Sequence, residues 1–287
     1  MISVPYPRIK NSKTIDLFPT IAPLLVPLTP ELRKAYGVYR AKKGNPGVVL
    51  PLNTLTPGTV SPAQEDALSA LYRTTYVKLK EDHRLLDWAY DLRNSSEIPY
   101  CPMCGNAGRN ALDHYLAHAH YPEFTLLSFN LVPTCTACNS KRNKHANAPN
   151  SALPLLHPYF EGARLSSPLV MVRIVPDDLT ANVPTFEMPS FQLVPSIHST
   201  DPLFSRLENH IGKCVDNTQL VRWVKGRWTV WRTKARNYKT IGEFQKAIQV
   251  ELNGEVDAGG ENNWTAAFLR GLYGSTAVLQ WLMLNPS

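Results

Sequence analysis

Four cysteines in two close pairs are the residues of this sequence best suited to chemistry. The pairs are Cys101-x2-Cys104 and Cys135-x2-Cys138, with 30 residues (105–134) between them. Four thiolates at such spacing can surround one Zn²⁺ tetrahedrally, and a closed shell of sulfur ligands is typical of a structural zinc site. Two disulfides or unlinked buried thiols are the alternatives, which the lack of an N-terminal export signal disfavours. We therefore predict structural zinc.

Polar residues of a second kind lie between and just after the cysteine pairs. Asp113 and His114 are adjacent, Asn130 precedes the second pair, and Asn139 follows Cys138 directly. A carboxylate and an amide oxygen suit a hard cation such as Mg²⁺. An imidazole with an ordinary pKa near 6.5 can take a proton from water at neutral pH. These residue types are the ones that a hydrolytic metal site needs, and structural zinc does not explain them.

The segment from Tyr100 to Lys144 resembles the HNH endonuclease family, in particular standalone bacterial and phage HNH proteins. The shared motifs are Leu112-Asp-His-Tyr-Leu116, Tyr121-Pro122, Asn130-Leu-Val-Pro133 and Cys138-Asn-x-x-Lys141. The resemblance covers about 45 of the 287 residues. This chain has Ala117-His118 where such proteins commonly have Pro-Lys, a departure that concerns the loop after the first strand.

The resemblance implies a zinc-stapled ββα-metal core that hydrolyses phosphodiester bonds, with DNA favoured over RNA. His114 would be the general base, and Asp113 and Asn139 would hold one catalytic Mg²⁺ or Mn²⁺. Asn130 would orient the loop and the imidazole. The alternative is a non-catalytic zinc-ribbon module that binds nucleic acid or protein, in which these polar residues only satisfy turns.

The rest of the chain must position this core. A 44% hydrophobic content is that of a globular protein, and a net charge of +7 favours a polyanionic partner, although it is equally compatible with solubility. We predict an α+β fold: a mainly helical region at 1–97, the HNH module at 98–150 and an α+β region at 151–287. The predicted setting is the cytoplasm of a bacterial or phage-infected cell, with a role such as phage defence. A homodimer or a partner protein stays open.

Caps and hydrophobic patterns predict the individual elements. The predictions are helices at Thr29 to about Arg40, at Pro62–Leu92 in one or two pieces, at Pro202–Ile211 and from Thr240 to Asn253-Gly254, a broken apolar arm at Leu17–Pro30, a loop at Pro51–Thr59, and a β-hairpin from Leu169–Val175 and Phe186–Val194.

Two basic stretches are candidates for nucleic-acid contact. The first contains Lys141, Arg142 and Lys144, next to the predicted metal ligand; a solvated helix end is the alternative. The second runs from Arg222 to Lys239 with seven cations, no acids and interleaved aromatic rings. Its candidate residues are Arg222, Lys225, Arg227, Arg232, Lys234 and Arg236. The rings either stack on bases or belong to the core of an amphipathic element.

The remaining features receive structural interpretations. Trp264–Leu284 is apolar, but Arg270 would be costly in a bilayer, so we predict a buried terminal helix or a dimer contact and no membrane span. Cys214 is predicted to be a buried free thiol. His157-Pro158-Tyr159 is predicted to pack the preceding polar linker, Asn147 to Ser151, back on the core. His118 and His120 are predicted to be ordinary loop residues, with a metal or substrate contact as the alternative.

Overall fold

The computed structural model describes most of the 287 residues. The exceptions are residues 8, 10, 78–86, 95–97, 109, 143–145, 181–182 and 287. The described part contains short helices and two small antiparallel sheets, so the predicted mixed α+β class is confirmed.

The N-terminal region is helical in its described part. Its helices are α1 (Asn11–Asp16), α2 (Phe18–Ile21), α3 (Thr29–Ala41), α4 (Leu52–Leu55), α5 (Pro62–Val77) and α6 (Asp87–Asn94), with a 3-10 turn at Pro23–Leu28. The prolines of the apolar arm keep α2 and the 3-10 turn short, as predicted. The predicted capping box is present, because the Ser61 amide donates to Gln64 Oε1 (3.0 Å) and the Gln64 amide donates to Ser61 Oγ (3.3 Å).

The central module consists of a hairpin followed by a helix. Strand β1 (Ala111–His114) pairs antiparallel with β2 (Leu131–Thr134), and helix α7 (Thr136–Arg142) follows at once. Helices α5 and α6 cover one side of the hairpin through a small apolar cluster that includes Ala89, Leu112 and Leu131. The N-terminal helices therefore support the strand that carries Asp113 and His114.

The C-terminal region joins a hairpin to a set of helices. Its elements are α8 (Gly162–Leu165), β3 (Val170–Val175), β4 (Ser190–Pro195), α9 (Phe204–Cys214), α10 (Asn217–Ala235), α11 (Ile241–Gly259), α12 (Trp264–Tyr273) and α13 (Thr276–Leu284). Strands β3 and β4 are antiparallel, with Val172 opposite Leu193. Helix α12 lies against β3, and a Cβ on Gly271 would come within 1.8 Å of the Val172 carbonyl oxygen. A glycine is therefore required where the helix meets the strand.

Three of the predicted elements differ from the structure. The predicted loop at Pro51–Thr59 contains the short helix α4. Helix α11 continues past Asn253-Gly254 to Gly259, because Leu252 and Val256 extend its apolar face by one more turn against the core. The terminal apolar stretch forms two helices, since Ser275 caps the start of α13. No described helix is both long and apolar enough to span a membrane.

Buried side chains connect the three regions. Tyr39 of α3 shares a 3.1 Å hydrogen bond with His157 Nε2, and the Tyr159 hydroxyl donates to the Leu131 carbonyl oxygen at 2.8 Å. The predicted packing of His157–Tyr159 on the core is confirmed. These contacts belong to a contiguous apolar core that runs through all three regions of the described chain.

Candidate functional site

The four paired cysteines converge on one buried point. Their sulfur atoms all lie within 4.8 Å of one another. Cys101 Sγ is 3.8 Å from Cys138 Sγ, and Cys104 Sγ is 3.7 Å from Cys135 Sγ. Tetrahedral coordination with Zn–S bonds of about 2.3 Å places sulfurs about 3.8 Å apart, whereas a disulfide requires about 2.05 Å. The geometry fits a zinc ion, and all four cysteines are free of disulfides.

Backbone amides point at three of these sulfurs. The Cys135 amide donates to Cys101 Sγ at 3.3 Å, and the Cys138 amide donates to Cys135 Sγ at 3.4 Å. The Asn106 amide donates to Cys104 Sγ at 3.4 Å. Amide donors favour the thiolate, which is the form of cysteine that binds metal. The backbone of both knuckles is thus arranged around sulfur ligands.

The C-terminal region contacts the cysteine cluster directly. Trp264 of α12 donates its indole N–H to the Cys104 carbonyl oxygen (2.8 Å) and its amide to that of Gly105 (3.0 Å). Gly105 has a φ of +82°, and a Cβ there would meet the Asn262 carbonyl oxygen at 2.3 Å. The Cys214 carbonyl oxygen lies 2.9 Å from the Cys138 sulfur. The four-cysteine cluster therefore lies where the module meets the C-terminal region.

Cys214 itself is a separate, buried thiol. Its sulfur is not part of the four-cysteine group. Burial raises the pKa of Cys214 to about 12, so the thiol stays protonated. The prediction of a buried free thiol is confirmed.

His114 ends strand β1 with its ring fixed inside the protein. Its Nε2 lies 3.0 Å from the Thr125 carbonyl oxygen. A carbonyl oxygen only accepts hydrogen bonds, so Nε2 carries the proton and Nδ1 has the free lone pair. Burial lowers the pKa of His114 to about 3, which keeps the ring neutral at physiological pH. The imidazole is thus in the protonation state that a general base requires.

Asn130 fastens the loop between the two strands. Its Oδ1 accepts from the Leu116 amide at 2.7 Å and from the Tyr39 hydroxyl at 3.1 Å. Its Nδ2 donates to the carbonyl oxygens of Leu116 (3.0 Å) and Phe124 (3.2 Å). Phe124 immediately precedes Thr125, which binds the imidazole. The fully buried amide has the contacts that its predicted role in orienting loop and imidazole requires.

Arg142 departs from the prediction. The predicted phosphate contact is 3% exposed, and its Nη1 lies 2.9 Å from Asp113 Oδ2. Its Nη2 donates to the carbonyl oxygens of His114 (3.1 Å) and Tyr115 (3.3 Å). Arg142 therefore holds the end of β1 from inside the protein. Burial raises the pKa of Asp113, and the charge of Arg142 opposes that effect.

The other predicted residues of this area lie on or after α7. Asn139 is exposed, one residue beyond Cys138 of the four-cysteine cluster, and α7 packs against β1. Lys141 donates its ammonium group to the Val215 carbonyl oxygen, so this cation is engaged at the end of α9. Lys144 lies outside the described residues.

The second basic stretch forms the amphipathic helix α10 and the turn after it. Trp228 and Trp231 are buried and Trp223 packs on Trp264 with ring centroids 6.1 Å apart, so of the two alternatives these rings follow the one in which they belong to the core. The cations lie outside. Arg232 pairs with Glu187 and Lys234 with Glu251, Arg227 covers the Trp223 ring, and Arg222, Lys225 and Arg236 are exposed.

Two rings lie beside His114: Tyr72, which the sequence does not indicate as a site residue, and His118, for which a metal or substrate contact is the alternative to an ordinary loop position. The Tyr72 ring of α5 lies 4.3 Å from the His114 ring between centroids, and the exposed His118 ring lies 5.3 Å away. Partial burial and the charge of Arg73 lower the pKa of His118. His118 stands four residues after His114, a spacing visible in the sequence. The approach of α5 depends on tertiary packing and has no local signal.

Comparison with known proteins gives one partial likeness. No protein-family model and no solved structure matches this chain. A stretch of 73 residues is 38% identical to Protein ea31 of Escherichia phage lambda. That stretch is 25% of this chain and spans only 25% of the length of the lambda protein, whose name states no activity.

Proposed function

We propose that this chain is a metal-dependent endonuclease that hydrolyses phosphodiester bonds in DNA. The observation that carries the proposal is the state of His114. Its ring is neutral, its Nε2 proton is bound to Thr125, and none of the side-chain hydrogen bonds found among the described residues uses Nδ1. A fixed, neutral imidazole with a free lone pair can take a proton from an attacking water, although the same burial that keeps the ring neutral makes it a weak base.

In this mechanism each residue has a distinct task. His114 Nδ1 accepts the proton of the water that attacks phosphorus, while Thr125 and Asn130 keep the ring oriented. Asp113 and Asn139 would hold Mg²⁺ or Mn²⁺ through one carboxylate and one amide oxygen, which are donor types that such ions accept. When bound, the ion stabilises negative charge on the phosphate and on the leaving oxygen. The cysteine cluster binds structural zinc and takes no part in the reaction.

A second candidate function is favoured by the ion pair between Arg142 and Asp113. The guanidinium neutralises the carboxylate that the catalytic ion would use, and a buried pair of this kind can serve a purely structural role. The second candidate is a non-catalytic zinc-ribbon module that binds nucleic acid or protein.

Plasmid nicking separates the two candidates. Supercoiled DNA is incubated with Mg²⁺ or Mn²⁺ and either wild type, His114→Ala or His198→Ala, the last a matched change at an exposed histidine outside the site. Loss of a general base is expected to slow nicking by about 100-fold or more, and the control is expected to nick like wild type. Equal rates for wild type and His114→Ala, or no nicking by either, would contradict the endonuclease proposal.

The phage likeness supports a setting in a bacterial or phage-infected cell. The partial match to a lambda protein is compatible with a part in phage defence or in a phage's own programme. The net charge of +7 supports a polyanionic partner such as DNA.

A further inference from the structure

A large cavity lies between the N-terminal segment, helix α3 and the loop that precedes β2. Its volume is about 930 Å³. Four aromatic residues line it, Tyr36 and the three whose rings contact one another: Tyr6, Phe129 and Phe160. Phe129 and Phe160 are stacked at 5.7 Å between centroids, and Tyr6 stands 5.8 Å from each of them. The Tyr6 side chain is 56% exposed, so an aromatic surface faces the solvent.

Positive charge surrounds these rings. Arg33, Arg40 and Lys43 line the cavity, and none of its described lining residues is acidic. Arg33 is paired with Asp16, whereas the Arg40 guanidinium lies over the Phe129 ring at 5.8 Å from its centroid. The cavity therefore combines apolar ring surface with a cationic rim.

The basic rim continues into a neighbouring cavity of about 400 Å³. Lys43 and Phe160 line both cavities, and Lys42 and Arg164 add two exposed cations on the second side. The acid in this second cavity, Glu161, is already paired with Arg206. Together the two cavities form a basic groove with aromatic side chains along it.

The walls of the groove are held by hydrogen bonds. The Tyr39 hydroxyl, which donates to Asn130 Oδ1, also lies 3.3 Å from the Phe129 carbonyl oxygen. Asn11 Oδ1 accepts from the Ser128 amide at 2.9 Å, which fastens the N-terminal segment next to the same ring. A groove formed in advance loses little entropy when it binds a ligand.

We propose that this groove binds single-stranded nucleic acid, with a base stacked against Tyr6 and the Phe129–Phe160 pair and with phosphates on Arg40 and Lys43. Aromatic faces and cations in one groove are what a single strand requires. A duplex keeps its bases stacked inside and offers no free base face to Tyr6. Binding in the groove does not require DNA cleavage, so this inference goes beyond the proposed nuclease function and can be tested without it.

The test is fluorescence anisotropy with a labelled oligothymidylate in buffer without added Mg²⁺ or Mn²⁺, with the oligonucleotide checked for integrity by gel. Tyr6→Leu is expected to raise Kd by about fivefold or more, because one stacking contact is lost. Tyr6→Phe keeps the ring and is expected to bind like wild type. Tyr90→Ala, at a tyrosine of similar exposure on α6, is the control and is expected to change Kd by less than about twofold.

Salt dependence tests the cations. Arg40→Gln is expected to lower the slope of log Kd against log salt by about 0.7, the value for one phosphate contact on a single strand. Lys246→Gln removes one exposed charge from α11 and is expected to leave that slope unchanged.

Three results would overturn the inference. The first is an equal effect of Tyr6→Leu and Tyr90→Ala in proteins with the same thermal unfolding curve. The second is an equal loss of affinity for a duplex of the same length on Tyr6→Leu. The third is displacement of the oligonucleotide by thymidine monophosphate at concentrations near the oligonucleotide's own Kd, which would indicate a free-nucleotide site instead of a strand-binding groove.

Discussion

The free energy of unfolding of the wild-type protein is predicted to fall as pH rises because of Glu123, and Glu123→Gln is predicted to abolish this fall. Glu123 lies in the loop that also carries Thr125, and it is 1% exposed. Its Oε1 accepts from the Leu52 amide at 3.0 Å, while Oε2 has no partner among the described residues. Burial raises the pKa of Glu123 to about 7 from an ordinary value of 4.5. The folded protein therefore binds a proton at this site more tightly than the unfolded chain.

The sign and size of the effect follow from proton linkage. The stabilisation that comes from the raised pKa of Glu123 is fully present below pH 4.5 and is lost as pH rises through about 7, where the buried carboxyl must ionise. A difference of about 2.5 between the two pKa values corresponds to about 3 kcal/mol. Glutamine resembles the protonated acid, so Glu123→Gln is expected to differ from wild type by less than about 1 kcal/mol near pH 5 and to be about 3 kcal/mol more stable near pH 8.

Urea unfolding followed by tryptophan fluorescence at several pH values measures this difference. Both proteins contain the same cysteine cluster, so any effect of pH on zinc cancels in the comparison. Glu208→Gln, at an exposed glutamate of α9, is the control and should follow wild type at every pH. A stability difference between Glu123→Gln and wild type that stays constant from pH 5 to pH 8 would refute the reasoning.

Three further perturbations test the site and the fold. Cys104→Ser should lower the zinc content, measured by elemental mass spectrometry, from about one ion per chain to a small fraction. It should also lower the melting temperature, because structural zinc contributes about 10–16 kcal/mol in small domains. Full retention of zinc by this variant would contradict the site. Arg142→Met should lower the free energy of unfolding in urea by about 3–5 kcal/mol, because it leaves the Asp113 carboxylate without its partner. Adding Asp113→Asn should restore part of that loss. Equal stabilities of the single and double variants would contradict the pairing. Gly271→Ala should lower the free energy of unfolding by more than about 2 kcal/mol, because the added Cβ meets the backbone of β3. Gly212→Ala, at a glycine with open space around it, should be neutral or slightly stabilising. Similar melting temperatures for the two variants would contradict this close approach.

Features encoded by neighbouring residues could be predicted from the sequence. The convergence of the four cysteines could be predicted because two short knuckles bring two possible metal ligands each. The box formed by Ser61 and Gln64 and the proline-broken arm at Leu17–Pro30 are likewise local, and the structure has them as predicted. The hairpin of β3 and β4 was recognisable from its β-branched residues and bordering prolines.

Features that depend on distant residues could not be predicted. The sequence groups Arg142 with the surface cations because it follows Lys141, but Arg142 stands four residues after Cys138, on the buried face of α7. Only the tertiary fold brings Asp113 from β1 to meet it. The role of the tryptophans of α10 could not be predicted for the same reason. Aromatic residues interleaved with cations give the same sequence pattern whether the rings pack in the core or bind bases.

The zinc cluster has a consequence outside the molecule. The cysteines bring together the hairpin, the end of α9 and the start of α12, so a chain without the ion lacks the anchor shared by these parts. Partly unfolded chains are removed by cellular proteases. If the cluster holds zinc as proposed, a cell starved of zinc would contain less of this protein at the same rate of synthesis.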